Sequence, residues 1–408
     1  MSKWEEKRLE DIIDVNPPVK LKKGESYPFI DIDKVSPTRR SVTNEEVKVY
    51  DGQSSSKFCD GDTVFSRITP CLENRKIAKV SINGDAAFGS TEFYVFRAKK
   101  KKADARFTYY LASSDAVVLP AINSMTGASG RQRADKRFIQ RLKLNLPDLP
   151  TQECIADILS AYDDLIEANN RRIELLEQTA QELYKEWFVR FRFPGYENVK
   201  FEDGLPENWS YVRFGKAIEI IDGDRGVNYP KQEEFYPKGD CLFLNAGNVT
   251  AKGFDFSSCS YITKEKDDIL RKGKLQHGDV VLTTRGTVGN VAFYNETMTF
   301  SEMRINSGMV ILRNLGAVST EYIYTALRHE YLQKLMTLYA SGSAQPQLPI
   351  KDMKRMKIIK PDAKTMERFT EMGADIYNQI SLLIMKNQTL AKQRDMLLPR
   401  LMSGKLEV

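Results

Sequence analysis

The residues best suited to chemistry in this sequence are few, and none is placed for catalysis. Asn16-Pro17-Pro18-Val19 falls one residue short of the Asn-Pro-Pro-aromatic tetrapeptide with which adenine methyltransferases hold a flipped base. In that tetrapeptide the aromatic stacks on the base, and here its place is taken by Val19. No glycine-rich loop preceded by a strand is present to hold a methyl donor, so the segment is read as a turn after a short helix. Gly215-Lys216, Gly273-Lys274 and Gly404-Lys405 lack both the upstream glycine and the hydroxyl of a phosphate-binding loop. Glu46-Val47-Lys48 and Asp362-Ala363-Lys364 lack the second carboxylate a nuclease needs. The only histidines, His277 and His329, have no second ligand at metal spacing. With no Gly-x-Ser-x-Gly either, a hydrolase triad is not expected. The expectation is a chain with no catalytic residues and no metal site.

What the sequence does offer is polar loops carrying the side chains that read DNA. Ser66, Arg67 and Thr69 run into Asn74, Arg75 and Lys76, and a later stretch adds Ser129, Arg131, Gln132 and Arg133. Further along, Thr284, Arg285, Thr287 and Asn290 are followed by Ser341, Ser343, Gln345 and Gln347. Arginine pairs bidentately with guanine, glutamine or asparagine pairs with adenine, and Ser, Thr and Lys suit phosphate oxygens. Any one such loop is unremarkable. Their recurrence at corresponding places in two halves of the chain is what singles them out. Lys99 to Lys102 reads as a solvated loop that adds non-specific phosphate attraction.

The halves correspond because the chain repeats itself. Trp4 is matched by Trp209, Phe29 to Val35 by Phe243 to Val249, Gly61-Asp62 by Gly278-Asp279, and Leu142 to Pro147 by Met356 to Pro361. The offset drifts only from 205 to 217, as loop insertions produce. Each copy ends in a long helix. Thr151 to Trp187 contains no Gly or Pro, and Thr151 is a plausible N-cap. One seam of this helix holds Leu159, Ile166, Ile173, Ala180 and Trp187; the other holds Ile155, Tyr162, Asn169, Leu176 and Leu183, at coiled-coil spacing. In the second copy the seams hold Gly373, Ile380, Asn387, Arg394 and Leu401, and Phe369, Ile376, Leu383, Leu390 and Leu397. Gly373 and Arg394 are expected to weaken that seam, while Asn169 and Asn387 could fix its register. The shared period predicts that the two helices pack on each other, and the first would span roughly 55 Å at about 1.5 Å per residue.

Between the helices the pattern is of short strands bounded by Gly, Asn and Asp turns. Val64-Phe65, Glu92 to Phe96, Cys241 to Leu244 and Gly308 to Leu312 are strands, with short helices over Ala105 to Ser113 and Thr320 to Tyr339. The fold class is therefore α+β, with two strand-rich α/β domains separated by two long antiparallel coiled-coil helices. The expected boundaries are 1–150, 151–190, 191–361 and 362–408. At 408 residues with 41% hydrophobic and 28% charged content, the composition is that of a globular protein. A net charge of +6 permits nucleic-acid binding without establishing it. No apolar run reaches membrane-span length, no signal peptide is evident at the start, and five scattered cysteines fit reduced thiols, so a cytoplasmic location is expected.

The ordered set of motifs resembles the specificity subunits of Type I restriction-modification enzymes, over nearly the whole chain. It comprises Trp4, Gly61-Asp62, Gly89-Ser90-Thr91-Glu92-Phe93 and Ile155-Ala156-Asp157-Ile158-Leu159-Ser160. It continues with Asn170-Arg171-Arg172-Ile173, Trp187-Phe188-Val189, Leu205-Pro206-Glu207-Asn208-Trp209, Gly278-Asp279 and Leu397 to Lys405. The resemblance implies two target recognition domains, each reading one half of a bipartite, asymmetric site on double-stranded DNA, with the helices setting the unread gap. It also implies two DNA methyltransferase subunits docked on the helices and two restriction/translocase subunits. Adenine-N6 methylation from S-adenosylmethionine, and translocation with ATP and Mg2+, would belong to those partners, with no cofactor in this chain. Thr69-Pro70 has no counterpart in the second domain, so its reading loop is expected to differ. Other readings of the same residues are a specificity subunit serving a fused nuclease-methyltransferase, a free-standing DNA-binding regulator on a palindromic site, and a methyltransferase using Asn16.

Overall fold

A computed structural model describes residues 4–37, 39–43, 46–128, 130–300, 302–342 and 346–408. The chain divides into two units, Met1–Glu167 with Thr389–Val408, and Ala168–Gln388. The long helices are not bodies of their own, because each unit takes part of both.

In the first unit a five-stranded sheet sets Ile13–Val15, Phe93–Ala98, Thr63–Ser66, Ile77–Ser81 and Ser41–Thr43 side by side. A four-stranded sheet sets Glu46–Val49, Ser26–Ile30, Ala87–Gly89 and Ser56–Phe58. The central strand Thr63–Ser66 is buried along its length, as a strand covered on both faces must be. Trp4–Arg8 pairs antiparallel with Lys143–Pro147, the strand that leads into the first long helix. Ala105–Ser113 is helical as expected, capped by Asp104, and a second helix, Asp115–Asn123, follows.

The second unit is built on the same plan. Ile218–Asp222, Met309–Asn314, Asp279–Thr283 and Val291–Tyr294 form one sheet, and Tyr261–Ile262, Cys241–Leu244 and Met303–Ile305 another. Ser210–Arg213 pairs with Lys357–Lys360 as Trp4–Arg8 pairs with Lys143–Pro147. The expected helix over 320–339 is broken, into Thr320–Arg328 and Glu330–Tyr339. His329 ends the first in an extended conformation and caps the second.

The repeated Gly-Asp pair has a structural reason. Gly61 and Gly278 take φ of +80° and +90°, a turn that favours glycine. The aspartate after each is buried and takes a bidentate arginine, Asp62 from Arg97 and Asp279 from Arg313, with N···O distances of 2.7–2.8 Å. One arginine per copy thereby locks the turn to the neighbouring strand.

The first long helix, Leu149–Tyr184, continues as a π-turn over Lys185–Val189, and the second covers Ala363–Met402. The cap is Asp148 rather than Thr151: the Thr151 amide donates to Asp148 Oδ1 at 3.2 Å, and the Thr365 amide donates likewise to Asp362 at 3.0 Å. Trp209 Nε1 also donates to Asp362 at 3.0 Å, tying the start of the second repeat to the helix that ends it.

Pairing of the helices runs antiparallel inside each unit. In the first, Asp163 meets Arg394; in the second, Asn169 meets Asn387, Arg172 meets Gln379 and Trp187 meets Phe369. The seam residues divide their contacts between the partner helix and the adjoining domain. Ile155, Leu159 and Leu401, with Leu397 at their edge, pack with Phe107, Leu111 and Ile139. Ile173 and Ile380, flanked by Leu176, Leu183, Ile376 and Leu383, pack with Trp209, Tyr322 and Phe369. Tyr162, Ile166 and Leu390 are half-buried. Arg394 does not stand unpaired in its seam, because it meets the buried carboxylate of Asp163. At Gly373 the second helix comes so close to Glu321 that an added Cβ would lie 3.0 Å from the Glu321 side chain.

Asn169 Nδ2 donates to Asn387 Oδ1 at 2.8 Å, and Asn387 Nδ2 donates to Asn170 Oδ1 at 2.9 Å. Asn169→Ala strands a half-buried partner and is expected to cost about 1–2 kcal/mol. Asn169→Leu with Asn387→Leu should recover that loss, since an apolar pair suits a seam better than an amide pair. Urea denaturation of both variants checks this; a neutral Asn169→Ala would show that the amides contribute nothing.

Candidate nucleic-acid interface

In each unit the two polar segments singled out in the sequence are joined into one surface by backbone hydrogen bonds. In the first unit Thr126 and Arg133 exchange amide-to-carbonyl bonds of 2.9–3.1 Å and so close a small hairpin. That hairpin docks on the end of strand Thr63–Ser66: the Ala134 amide donates to the Arg67 carbonyl at 2.8 Å, and the Thr69 amide to the Gln132 carbonyl at 3.0 Å. In the second unit Ser341 and Gln347 exchange the same pair of bonds at 2.8–2.9 Å, and the Leu348 amide donates to the Thr284 carbonyl at 2.9 Å. The isolated bridges Ile68–Arg133 and Arg285–Gln347 mark the same junction. Residues some sixty positions apart, as Thr69 and Gln132 are, thus share one small platform.

The side chains on the two platforms differ. In the first unit Glu92 gathers two arginines, accepting from Arg67 Nε at 3.2 Å, Arg133 Nε at 2.9 Å and Arg133 Nη2 at 2.6 Å. The hydrogen bond from Arg133, with the charge of Arg67 beside it, holds the Glu92 carboxyl below its ordinary range in spite of partial burial. Arg67 also lies over the Tyr94 ring, 5.4 Å from its centroid, and Tyr94 is anchored by its hydroxyl to the Ala134 carbonyl at 2.7 Å. In the second unit the carbonyl of Gly308 takes the place of that carboxylate as the local acceptor. It receives the amides of Thr284 and Arg285 and the Thr284 hydroxyl, at 2.8–3.2 Å. Arg285 Nε is buried and has no hydrogen-bond partner among the described residues.

Not every sequence-selected residue faces outward. Ser66 is fully buried and its hydroxyl donates to the Lys76 carbonyl at 2.5 Å, so it braces the loop instead of presenting a donor. Thr69 and Thr284 are nearly buried, and both serve the loop backbone: the Gln132 amide donates to Thr69 Oγ1 at 3.1 Å. Asn290 is spent on the Val249 carbonyl at 3.0 Å, and the Thr287 carbonyl accepts the Thr283 hydroxyl. Lys76 Nζ donates to the Ile32 carbonyl at 3.0 Å, and Arg75 reaches the Ser113 carbonyl and Asp115. Asn74, Arg131, Arg133, Thr287, Ser341 and Gln347 are exposed, and Arg67, Gln132 and Arg285 are half-exposed. Ser129, Ser343 and Gln345 lie outside the described residues. Glu92 and Gly308 were not among the residues selected, although Glu92 stands inside the Gly89-Ser90-Thr91-Glu92-Phe93 motif.

Asn16, the one residue with a catalytic look, is used structurally. At φ +57° its Oδ1 accepts the Val95 amide at 2.8 Å and its own amide donates to the Val95 carbonyl at 2.7 Å. Among the described residues no group of three or more His, Cys, Asp and Glu is placed to hold a metal ion. Among them, too, no helix is long and apolar enough to cross a membrane.

Two strand-rich domains, each carrying a loop platform of one design, with antiparallel helices shared into both, define a duplicated recognition architecture. Residues 1–178 and 206–388 each match the Type I restriction modification DNA specificity domain, and the chain belongs to that family. It is 23% identical to the Type I restriction enzyme MjaIX specificity subunit of Methanocaldococcus jannaschii, over 99% of this chain and 94% of that one. It is 24% identical to the Type I restriction enzyme HindI specificity subunit of Haemophilus influenzae, over 88% and 90%. Among solved structures, the Type-I restriction-modification system S subunit from M. genitalium superposes with a TM-score of 0.54 at 13% identity, over 98% of this chain and 96% of that one. At that identity the likeness is one of fold.

Proposed function

We propose that this chain is the DNA sequence-reading subunit of a Type I restriction-modification complex. Each recognition domain reads one half of a bipartite site, and the long helices set the unread gap and dock two DNA methyltransferase subunits. Two restriction/translocase subunits complete the assembly. Adenine-N6 methylation with S-adenosylmethionine, and ATP- and Mg2+-dependent translocation, reside in those partners, and this chain contributes recognition without catalysis in the cytoplasm. The observation that carries the reading is the loop platform repeated on one backbone plan with unlike side chains. Arg67 and Arg133 stand where the second unit has Thr284 and Gln347. One plan supports one mode of approach to the duplex, and unlike side chains support unlike half-sites.

The test is selection of bound sequences from a randomised duplex library by the chain in complex with its methyltransferase partner. Two unlike blocks separated by a spacer of fixed length are expected. A single block or a palindrome would contradict the reading. The spacer should also follow the helices. Inserting four residues into each long helix lengthens it by about 6 Å at roughly 1.5 Å per residue. That is close to two base pairs at about 3.4 Å each. The selected spacer should grow accordingly, and an unchanged spacer would sink the idea that the helices measure it.

A further inference from the structure

Resting on the reading of these loops as DNA contacts, we propose that Arg67 reads a guanine in the first unit's half-site and that Glu92 is its positioning residue. A guanidinium has two edges that can donate in pairs. Glu92 takes Nε of Arg67 at 3.2 Å, and the Tyr94 ring supports one face of the group. Neither contact uses both terminal nitrogens. Among the described residues Nη1 and Nη2 of Arg67 have no hydrogen-bond partner, and its side chain keeps 29% of its exposure. Those two nitrogens form the edge that matches O6 and N7 of guanine in the major groove. The side chain is therefore held by its inner nitrogen and its face, and its terminal edge is left without an acceptor among the described residues.

Arg133 gives the Nε–Nη2 edge to Glu92, at 2.9 and 2.6 Å, so the same carboxylate anchors both arginines by their inner nitrogens. Arg133 is the more exposed of the two, 45% against 29% at the side chain, which suits a phosphate oxygen on the outside of the duplex. The carboxylate thus holds two neighbouring arginines at once, and fixing the reader before binding removes part of the ordering cost of association. Among the described residues the second unit shows no such arrangement. The backbone position that accepts the Arg67 amide is Glu92, and the one that accepts the Thr284 amide is Gly308. The buttress, and the guanine it serves, belong to one half-site only.

The experiment maps methylated motifs for complexes of the full chain and its modification partner carrying wild type, Arg67→Ala, Glu92→Gln, or both. Arg67→Ala should relax one guanine position in one half-site by on the order of tenfold. Glu92→Gln should relax the same position by a smaller factor and leave the other half-site unchanged. In the Arg67→Ala background it should add nothing at that position, a non-additivity that a merely structural carboxylate would not produce. Relaxation at a base other than guanine, loss spread over the whole half-site, or full additivity would overturn the proposal. A wild-type motif unmoved by either substitution overturns this inference alone; a wild-type complex with no motif overturns the parent reading as well.

Discussion

Arg394→Met should destabilise the first unit by about 3 kcal/mol, because it leaves a buried carboxylate without its charge partner. Asp163 is 4% exposed at its side chain and sits on the first long helix, where it pairs with Arg394 of the second and accepts the Tyr110 hydroxyl at 2.5 Å. Burial works against the charge on Arg394, and Asp163 outweighs it, so the guanidinium stays firmly protonated. Removing the arginine keeps the desolvation cost of Asp163 and leaves it, among the described residues, the neutral Tyr110 hydroxyl as donor. The low end of the usual range applies because Arg394 retains 23% exposure. Asp163→Leu in the Arg394→Met background should restore most of the loss, since a matched apolar pair needs no charge compensation. Urea denaturation of the single and double variants decides it. A neutral Arg394→Met would mean that solvent, not the helix partner, satisfies Asp163.

Phe188→Ala should cost the second unit about 3–5 kcal/mol. The ring is 1% exposed and is the hub of an aromatic cluster, with centroids of Tyr322 at 4.8 Å, Phe369 at 4.9 Å, Tyr184 at 5.3 Å and Trp209 at 5.8 Å. Those partners come from both long helices, from the Thr320–Arg328 helix and from the start of the second repeat, so one truncation opens the joint between them all. Trp187 and Trp209 lie in the same cluster and report on it by fluorescence. The expected result is an early tryptophan transition on denaturation. Leu338→Ala, at a side chain left 78% exposed, should leave that transition in place. An unchanged transition in Phe188→Ala would show that the cluster does not limit the unit's stability.

How much of this was readable beforehand follows from what each feature depends on. The duplication, the two long helices and the strands at 63–66, 241–244 and 309–314 are written in local periodicity and in repeated motifs. That Asn169 and Asn387 bear on the seam was legible because amides interrupt a largely apolar pattern; their hydrogen bond to each other was not. The Asp163–Arg394 pair was not, because its members lie 231 residues apart and each alone looks like a polar flaw in a helix. The cap at Asp148 was missed for a smaller reason: the helix begins two residues before Thr151, at a leucine and a proline that do not announce an N-terminus. For the loops, side-chain type identified the segments but not which hydroxyls face inward. Ser66, Thr69 and Thr284 are buried because the strand they leave is buried on both faces, a property of the sheet and not of the loop. Glu92 escaped because a carboxylate repels DNA; its part is to hold arginines, which only the three-dimensional arrangement displays.

The central claim is that this chain supplies the sequence specificity of a DNA-modifying complex. Its most direct test is long-read mapping of adenine methylation in a methylation-deficient host expressing the modification partner with and without this chain. The expected result is a single bipartite motif with a fixed gap that disappears when the chain is omitted. Soluble, associated proteins that leave no motif, or a motif that persists without the chain, would contradict it.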